Sequence, residues 1–405
     1  MSTTTNTITP LEAGALLGKF EMIKLVGRDG QAHVYVARVS HQPATPLAEI
    51  QRHIDANTAS QELIERERIC VIKLATPGSE DGLRDEHNYI IDPKVQHPRI
   101  IKLFSDPRGD TSTAHHKGPK GRWSADFRTN QGQIVHLPYI AIEYMPGGTL
   151  KHVLERNGRR PLPPAMTVQI ALQVAEALEH LHTKAGLIHH DIHPSNITFR
   201  HPINLHKGDL PDCVLIDLAV ADMPGKPRRT QVYGRRTYLP PERLQEKPGS
   251  HGPLVDVYGL GVVIYECLVG RLPHPGTDAI TNIPYPLPPI REQVSTISPQ
   301  LATLIDAAIA QDPSERSNLR QLIQALQHTP EARITTHHKP ERKNFIIAAI
   351  AAGCLLLAVV LTVWLTMGGS ITATTPTSTI SIPTNTPIPS PTPTPTIVPT
   401  STPSS

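Results

Sequence analysis

Cysteine is scarce in this chain of 405 residues: four occur, Cys70, Cys213, Cys267 and Cys354. Each sits in an apolar run and none forms a Cys-x-x-Cys pair, which argues against a disulfide framework or a cysteine zinc site and fits a reducing compartment. An excess of either charge is also missing. With 39 Lys and Arg against 36 Asp and Glu the net charge is +3, so neither a basic nucleic-acid arm nor an acidic tail dominates, and no nucleic-acid partner is expected. The first residues lack the charged, apolar and small-residue succession of a signal peptide; residues 1–18 read as a flexible leader. What is present is a hydrophobic fraction of 39%, enough to bury a core. The length predicts one two-lobed domain with additions, or two domains.

Charge is wholly absent from residues 345–367, FIIAAIAAGCLLLAVVLTVWLTM. As a helix this run rises about 34 Å at ~1.5 Å per residue, enough for a hydrocarbon core of about 30 Å. Arg333, Lys339, Arg342 and Lys343 precede it and no Lys or Arg follows. The positive-inside rule then predicts a single-pass plasma-membrane protein, with residues 1–344 cytoplasmic and 368–405 outside. Residues 329–344 read as a basic juxtamembrane linker. Residues 368–405, rich in Thr-Pro and Ser-Pro steps, read as an extended extracytoplasmic tail, either a spacer or a glycosylated stalk.

The rest of the chain changes character once. The apolar, β-branched runs KFEMIKLV, AHVYVARV, RICVIKLA, IIKLF and YIAIEYM come first. Helical periodicity follows: Ile170, Val174, Leu178 and Leu181 share one face of a helix stopping near Gly186, and a second helix runs through Val262 to Leu268. Strands before helices predict an α+β protein, with a small sheet lobe followed by a larger helical lobe. The polar stretches 41–67 and 107–133 read as surface loop insertions, with helix an option in the first.

The chemistry concentrates in LIHHDIHPSNI, residues 187–197, and VLIDLAV, residues 214–220. Asp191 sits in a short loop with Asn196 five residues on, and Asp217 ends an apolar run. Asp191 can accept a proton from an attacking hydroxyl; Asn196 and Asp217 offer the hard oxygen ligands that Mg²⁺ prefers. Lys73 lies in the predicted strand VIKL, where a buried ammonium needs an acidic partner, and Glu86 in GLRDEHNYII is the candidate.

Taken in order, these motifs resemble the eukaryotic-like protein kinases of the bacterial, membrane-anchored serine/threonine type, over about residues 19–327. The resemblance implies a bilobal kinase fold, with a sheet lobe carrying one helix at 19–145 and a helical lobe at 146–328, and transfer of the ATP γ-phosphate to Ser or Thr hydroxyls of protein substrates in signalling, with Mg²⁺, or Mn²⁺ as an alternative. It implies that Lys73 orients the α- and β-phosphates, Glu86 positions Lys73, Asp191 is the catalytic base, and Asn196 and Asp217 hold the metal. The phosphate loop GRDGQAHVY would supply Gly27, Gly30 and Val34. Val71 and the backbones of Glu143 and Met145 would meet adenine, with Ile142 as gatekeeper. Glu242 of PPER would pair with Arg316 of QDPSER.

Several positions depart from the kinase pattern. Asp29 and Ala32 stand at the second and third glycine positions, and Val71 replaces a smaller alanine. His190 replaces the arginine that clamps a phosphorylated activation loop, implying that such phosphorylation is not the main switch. His193, a catalytic candidate, replaces the lysine that touches the transferring phosphoryl group, and as imidazolium it would neutralise γ-phosphate charge. Leu218 and Ala219 replace the Phe and Gly of DFG; Arg235 stands where a threonine is usual. Thr230 and Thr237 are candidate phosphorylation sites. The basic run Lys226, Arg228, Arg229, Arg235 and Arg236 reads as a solvated loop or as a preference for acidic or already phosphorylated substrates. A pseudokinase scaffold and a small-molecule kinase are the alternatives; homodimerisation is left open, and a zinc site at His189, His190 and His193 is the weakest reading.

Overall fold

A computed structural model of the protein describes residues 7–28, 31–40, 45–105, 122–205, 207–222, 235–244, 252–274 and 287–333. All lie in the first of two units, Met1–His337; the second, His338–Ser405, with the expected span at 345–367 and tail at 368–405, lies outside the described residues. Among the described residues no helix is long and apolar enough to cross a membrane.

Six strands build the first lobe: β1 (Leu16–Leu17), β2 (Phe20–Arg28), β3 (Ala32–Val39), β4 (Ile69–Ala75), β5 (Arg122–Arg128) and β6 (Ile134–Glu143). They pair antiparallel in the order β1-β2-β3-β4-β6-β5. Side chains of a strand alternate between its faces. Cys70, Ile72 and Leu74 of β4 therefore join Met22, Tyr35, Trp123 and Tyr139 in one apolar cluster, while Ile69, Val71 and Lys73 share the other face.

Three helices accompany this sheet where the sequence predicts one. α1 (Leu47–Asp55) and α2 (Gln61–Glu67) occupy the expected loop insertion at 41–67, and α3 (Glu80–Ile91) carries Glu86. The insertion is no surface loop. Ile50, Ile54, Ala59, Leu63 and Ile64 bury themselves against Ile23, Val36 and Ile69 of the sheet, a helical spacing hidden among polar residues. Ser60 caps α2 by accepting from the Leu63 amide at 3.2 Å.

Two other expectations change. In the stretch 107–133 residues 122–128 are strand β5: Trp123 is buried and stacks on Tyr139 at 5.7 Å, and the β5–β6 pairing runs from Arg122 opposite Ile140 to Arg128 opposite Ile134. The leader is attached in its second half, where Ile8 bridges Thr129 and Leu17 is buried opposite Phe20.

The second lobe is helical: α4 (Leu150–Arg156), α5 (Pro164–His180), α6 (Pro241–Leu244), α7 (Leu254–Val269), α8 (Pro299–Ala308), α9 (Leu319–Gln327) and α10 (Pro330–Arg333). A hairpin of β7 (Ile197–Phe199) and β8 (Cys213–Leu215) faces the sheet lobe. α5 runs into a π-helical turn that closes at Gly186, whose φ of 64° suits a residue without Cβ. α10 shortens the expected linker at 329–344, because Glu331 turns back to accept from the Ser298 amide at 2.6 Å.

The buried pair Glu242–Arg316 ties the lobe together. Arg316 meets both carboxylate oxygens at 2.7 and 3.0 Å, donates to the Ala310 carbonyl, and lies 4.9 Å from the Tyr258 ring. Arg316→Met strands a buried carboxylate and should cost about 3–5 kcal/mol in urea unfolding. The double variant with Glu242→Leu should recover part of that loss; a single variant within about 1 kcal/mol of wild type would refute the role.

Candidate active site

The lobes meet around an ammonium. Lys73 projects from β4 on the sheet face opposite the Cys70 cluster. Its Nζ lies 2.6 Å from Glu86 Oε2 of α3 and 3.0 Å from Asp217 Oδ1, just beyond β8. Burial works against the Lys73 charge, but Asp217 and Glu86 outweigh it and raise its pKa above the ordinary lysine value. Burial also opposes ionisation of Asp217, yet Lys73 holds its carboxyl below the usual range. The three groups therefore fix each other across the seam.

Asp191 stands beside this triad on the loop before β7. Asn196 Nδ2 donates to the Asp191 carbonyl at 2.9 Å and to its Oδ2 at 3.2 Å; the Arg235 amide donates to Oδ1 at 2.9 Å. Burial would raise the Asp191 pKa, but the nearby His193 ring and the bond from the Arg235 amide bring it below the ordinary value. The Asn196 carbonyl accepts from the Ile216 amide at 2.9 Å, which sets Asn196 beside the residue preceding Asp217. With its amide nitrogen used by Asp191, Asn196 has its side-chain oxygen left for a ligand. An amide oxygen and an ionised carboxylate side by side fit a hard dication such as Mg²⁺.

Two residues here adopt the left-handed backbone that non-glycine residues seldom use, His190 at φ 65° and Asp217 at φ 70°. Such conformations persist where the surroundings over-determine them. His190 is fixed at both ends: its amide donates to Asp256 Oδ1 at 2.8 Å, and its Nε2 lies 2.8 Å from Asp222 Oδ1. Asp256, in the first turn of α7, also accepts from the His189 amide at 2.8 Å and meets His182 Nε2 at 2.8 Å. One carboxylate thus anchors the loop that carries Asp191 from below. α7 can approach this closely because Gly259 has no Cβ; one there would sit 3.2 Å from the Ile192 carbonyl.

The histidines separate in role. His189 Nε2 faces the Ile216 carbonyl at 3.1 Å, so that nitrogen carries the proton. His193 Nδ1 accepts from the Ser195 amide at 3.1 Å; the proton therefore sits on Nε2, 3.3 Å from Asp191 Oδ2. The rings point at different partners, and among the described residues no cluster of three ligating side chains could hold a metal ion.

The remaining candidates line the sheet lobe. Val34 pairs with Lys73, Val71 with Ile142, and Gly27 with Val34. Glu143 closes β6; its amide donates to the Lys102 carbonyl, and its carboxylate accepts from the Lys102 amide and from Arg200. The Met145 carbonyl accepts from Gly148. Asp29, Gly30, Lys226, Arg228, Arg229 and Thr230 lie outside the described residues; Thr237 is half-buried beside exposed Arg235 and Arg236.

Sequence reasoning missed Asp256, Asp222 and Glu266. Asp256 and Glu266 had a signal: they are the acids of an otherwise apolar run, DVYGLGVVIYE, and such acids are buried only with partners. Glu266 accepts from the Tyr238 hydroxyl at 2.6 Å and from Arg159 at 2.9 Å. Asp222 had none, since its pairing with His190 is made by the tertiary fold.

Comparison with protein families matches residues 125–328, just over half of the chain, to the protein kinase domain. Among curated proteins, serine/threonine-protein kinase PknB of Mycobacterium leprae is 30% identical over 228 residues, 55% of this chain and 32% of that protein. Serine/threonine-protein kinase PknL of Mycobacterium tuberculosis is 29% identical over 194 residues, 46% of this chain and 45% of that protein. Serine/threonine-protein kinase PrkC of Bacillus subtilis is 25% identical over 303 residues, 74% of this chain and 38% of that protein. The chain spans less than half the length of each.

The anchoring carboxylate gives a pH signature. Burial opposes its ionisation, yet His182 and the loop histidines His190 and His189 bring the Asp256 pKa down to about 2. The native state then binds this proton less readily than the unfolded chain, where aspartate titrates near 3.9. The stabilisation is present above about pH 4 and lost as pH falls to about 2, roughly 2 kcal/mol. Between pH 5 and pH 2, wild type should lose that much more unfolding free energy than Asp256→Asn; equal losses would contradict the assignment.

Proposed function

The chain belongs to the protein kinase domain family, and on that premise we propose that it is an ATP-dependent protein-serine/threonine kinase of a signalling system. One observation carries the reading: Lys73, Glu86, Asp191, Asn196 and Asp217 come from both lobes and meet at one seam. Lys73, fixed by Glu86, orients the α- and β-phosphates of ATP. Asp217 and Asn196 would hold Mg²⁺ or Mn²⁺, whose charge offsets that of the phosphates when bound. Asp191, kept ionised, orients the hydroxyl of the substrate and takes its proton. Phosphoryl transfer needs positioning and electrostatics more than covalent help from the protein, so this set suffices.

His193 occupies the position of a lysine. Its Nδ1 accepts from the Ser195 amide and its Nε2 lies 3.3 Å from Asp191 Oδ2, which fixes the ring beside the proposed base.

The membrane reading rests on the uncharged run 345–367 and its basic N-terminal flank. It places the kinase domain on the cytoplasmic side of the plasma membrane, the tail at 368–405 outside, and the substrates among cytoplasmic proteins. Arg235 and Arg236, exposed beside Asp191, favour acidic substrates.

With labelled ATP, Mg²⁺ and generic protein substrates, the full chain should label Ser or Thr residues and Asp191→Ala should not. Nucleotide binding without transfer would leave the pseudokinase scaffold; label on metabolites alone would point to a small-molecule kinase. His193→Ala should lower kcat about tenfold, the loss of one hydrogen bond of about 1.4 kcal/mol, with His193→Gln close to wild type. Membrane fractions should retain the full chain after alkaline extraction and release a chain ending at residue 344.

A further inference from the structure

The α1–α2 insertion has work to do that its distance in sequence from the catalytic residues conceals. Along β4, Ile69, Val71 and Lys73 project from one face of the sheet, and on β3 Val34 and Val36 do the same. Val34, Val71 and Lys73 line the nucleotide cleft. Ile69 and Val36 belong to the apolar cluster formed with Ile50, Ile54, Leu63 and Ile64 of the insertion. The insertion core and the cleft roof are therefore neighbouring parts of one sheet face, meeting where the chain crosses between lobes.

That crossing runs through Glu143, Tyr144 and Met145. In an extended segment alternate side chains point to opposite sides, and Tyr144, between the two residues whose backbones would meet adenine, is half-buried and packs against the insertion cluster. Burial, with Asp55 adding to it, pushes the Tyr144 phenol up to about 12. The end of α1 also reaches the sheet and the start of the second lobe. Asp55 pairs with Lys24 of β2 at 2.5 Å. Asn57, left-handed at φ 56°, has its Oδ1 4.0 Å from where a Cβ on Gly148 would lie. Lys24 is near enough to α4 that its charge adds to the burial that lowers the His152 pKa.

We propose that the α1–α2 insertion is a splint for the nucleotide site, in which Tyr144, packed against the insertion core, and Asn57, beside Gly148, are positioning residues that hold residues 143–148 in the shape that receives the purine. The inference rests on the ATP-binding reading above, not on protein phosphorylation. A connector held from outside keeps the Glu143 and Met145 backbones ready before nucleotide arrives, which lowers the ordering cost of binding. The phosphates and the base are untouched, so the effect falls on nucleotide affinity rather than on transfer.

The test compares full-length variants by calorimetric titration with ADP and Mg²⁺, by steady-state kinetics and by thermal melting. Tyr144→Ala should weaken nucleotide binding and raise the KM for ATP by about tenfold, with kcat and the KM for protein substrate within about twofold. Tyr144→Phe should match wild type, because the ring and not the hydroxyl is seated. Asn57→Gly, which keeps the left-handed backbone, should weaken nucleotide by about threefold. Folded Tyr144→Ala and Asn57→Gly that bind ADP as wild type does would overturn the splint; should Tyr144→Ala fail to fold, Asn57→Gly decides by itself. A fall in kcat with unchanged nucleotide affinity would also overturn it. Wild type that binds ADP but phosphorylates nothing removes the kinase reading and leaves the splint measurable; wild type that binds no ADP removes both.

Discussion

A lysine ammonium taken out of water must be paired or lose its charge, and Lys73 is paired twice. Its contacts with Glu86 and Asp217 draw together a central strand, the helix beside it and the loop after β8. Each of these elements has its own apolar reason to fold, but none of those reasons fixes their mutual position. The charge does. Unpairing Glu86, which is fully buried, leaves an ion out of water with no partner, so the seam closes in one arrangement.

Beneath the seam the same logic operates with backbone groups. The loop from His189 to Asn196 has no regular structure to satisfy its amides, and Asp256 accepts two of them. Helix α7 is buried along nearly its whole length, which makes its first turn a rigid base. The left-handed backbones at His190 and Asp217 are affordable because that base and the Lys73 pairings hold both ends of each strained stretch. Strain here is the consequence of aiming several polar side chains from short loops at one point.

The catalytic candidates were legible because their chemistry is local: an acid with an asparagine five residues on, and a lysine inside an apolar strand. Glu86 could be chosen from the demand of Lys73 alone. What stayed hidden was settled by neighbours distant in sequence. Ile50, Ile54 and Leu63 lie among charged residues, and only the exposed end of a sheet face explains why they form helices. Trp123 and Phe127 in a polar stretch became a strand because β6 offered an edge. His190 looked like a lost arginine until Asp222 stood opposite it.

Substitution of a lysine by His193 and of an arginine by His190 looks from sequence like the loss of two charges. Geometry redistributes the work instead. A lysine has a long flexible stem and delivers its charge at an entropic cost. The His193 ring is pinned by the Ser195 amide two residues on, and His190 by Asp222, so each ring is held in one orientation. What such a site gives up in electrostatic attraction for phosphate it must recover in preorganisation, and the places to recover it are the rigid base under the loop and a connector braced from outside. The buried acid of α7 and the helical insertion answer the same demand from opposite ends of the cleft.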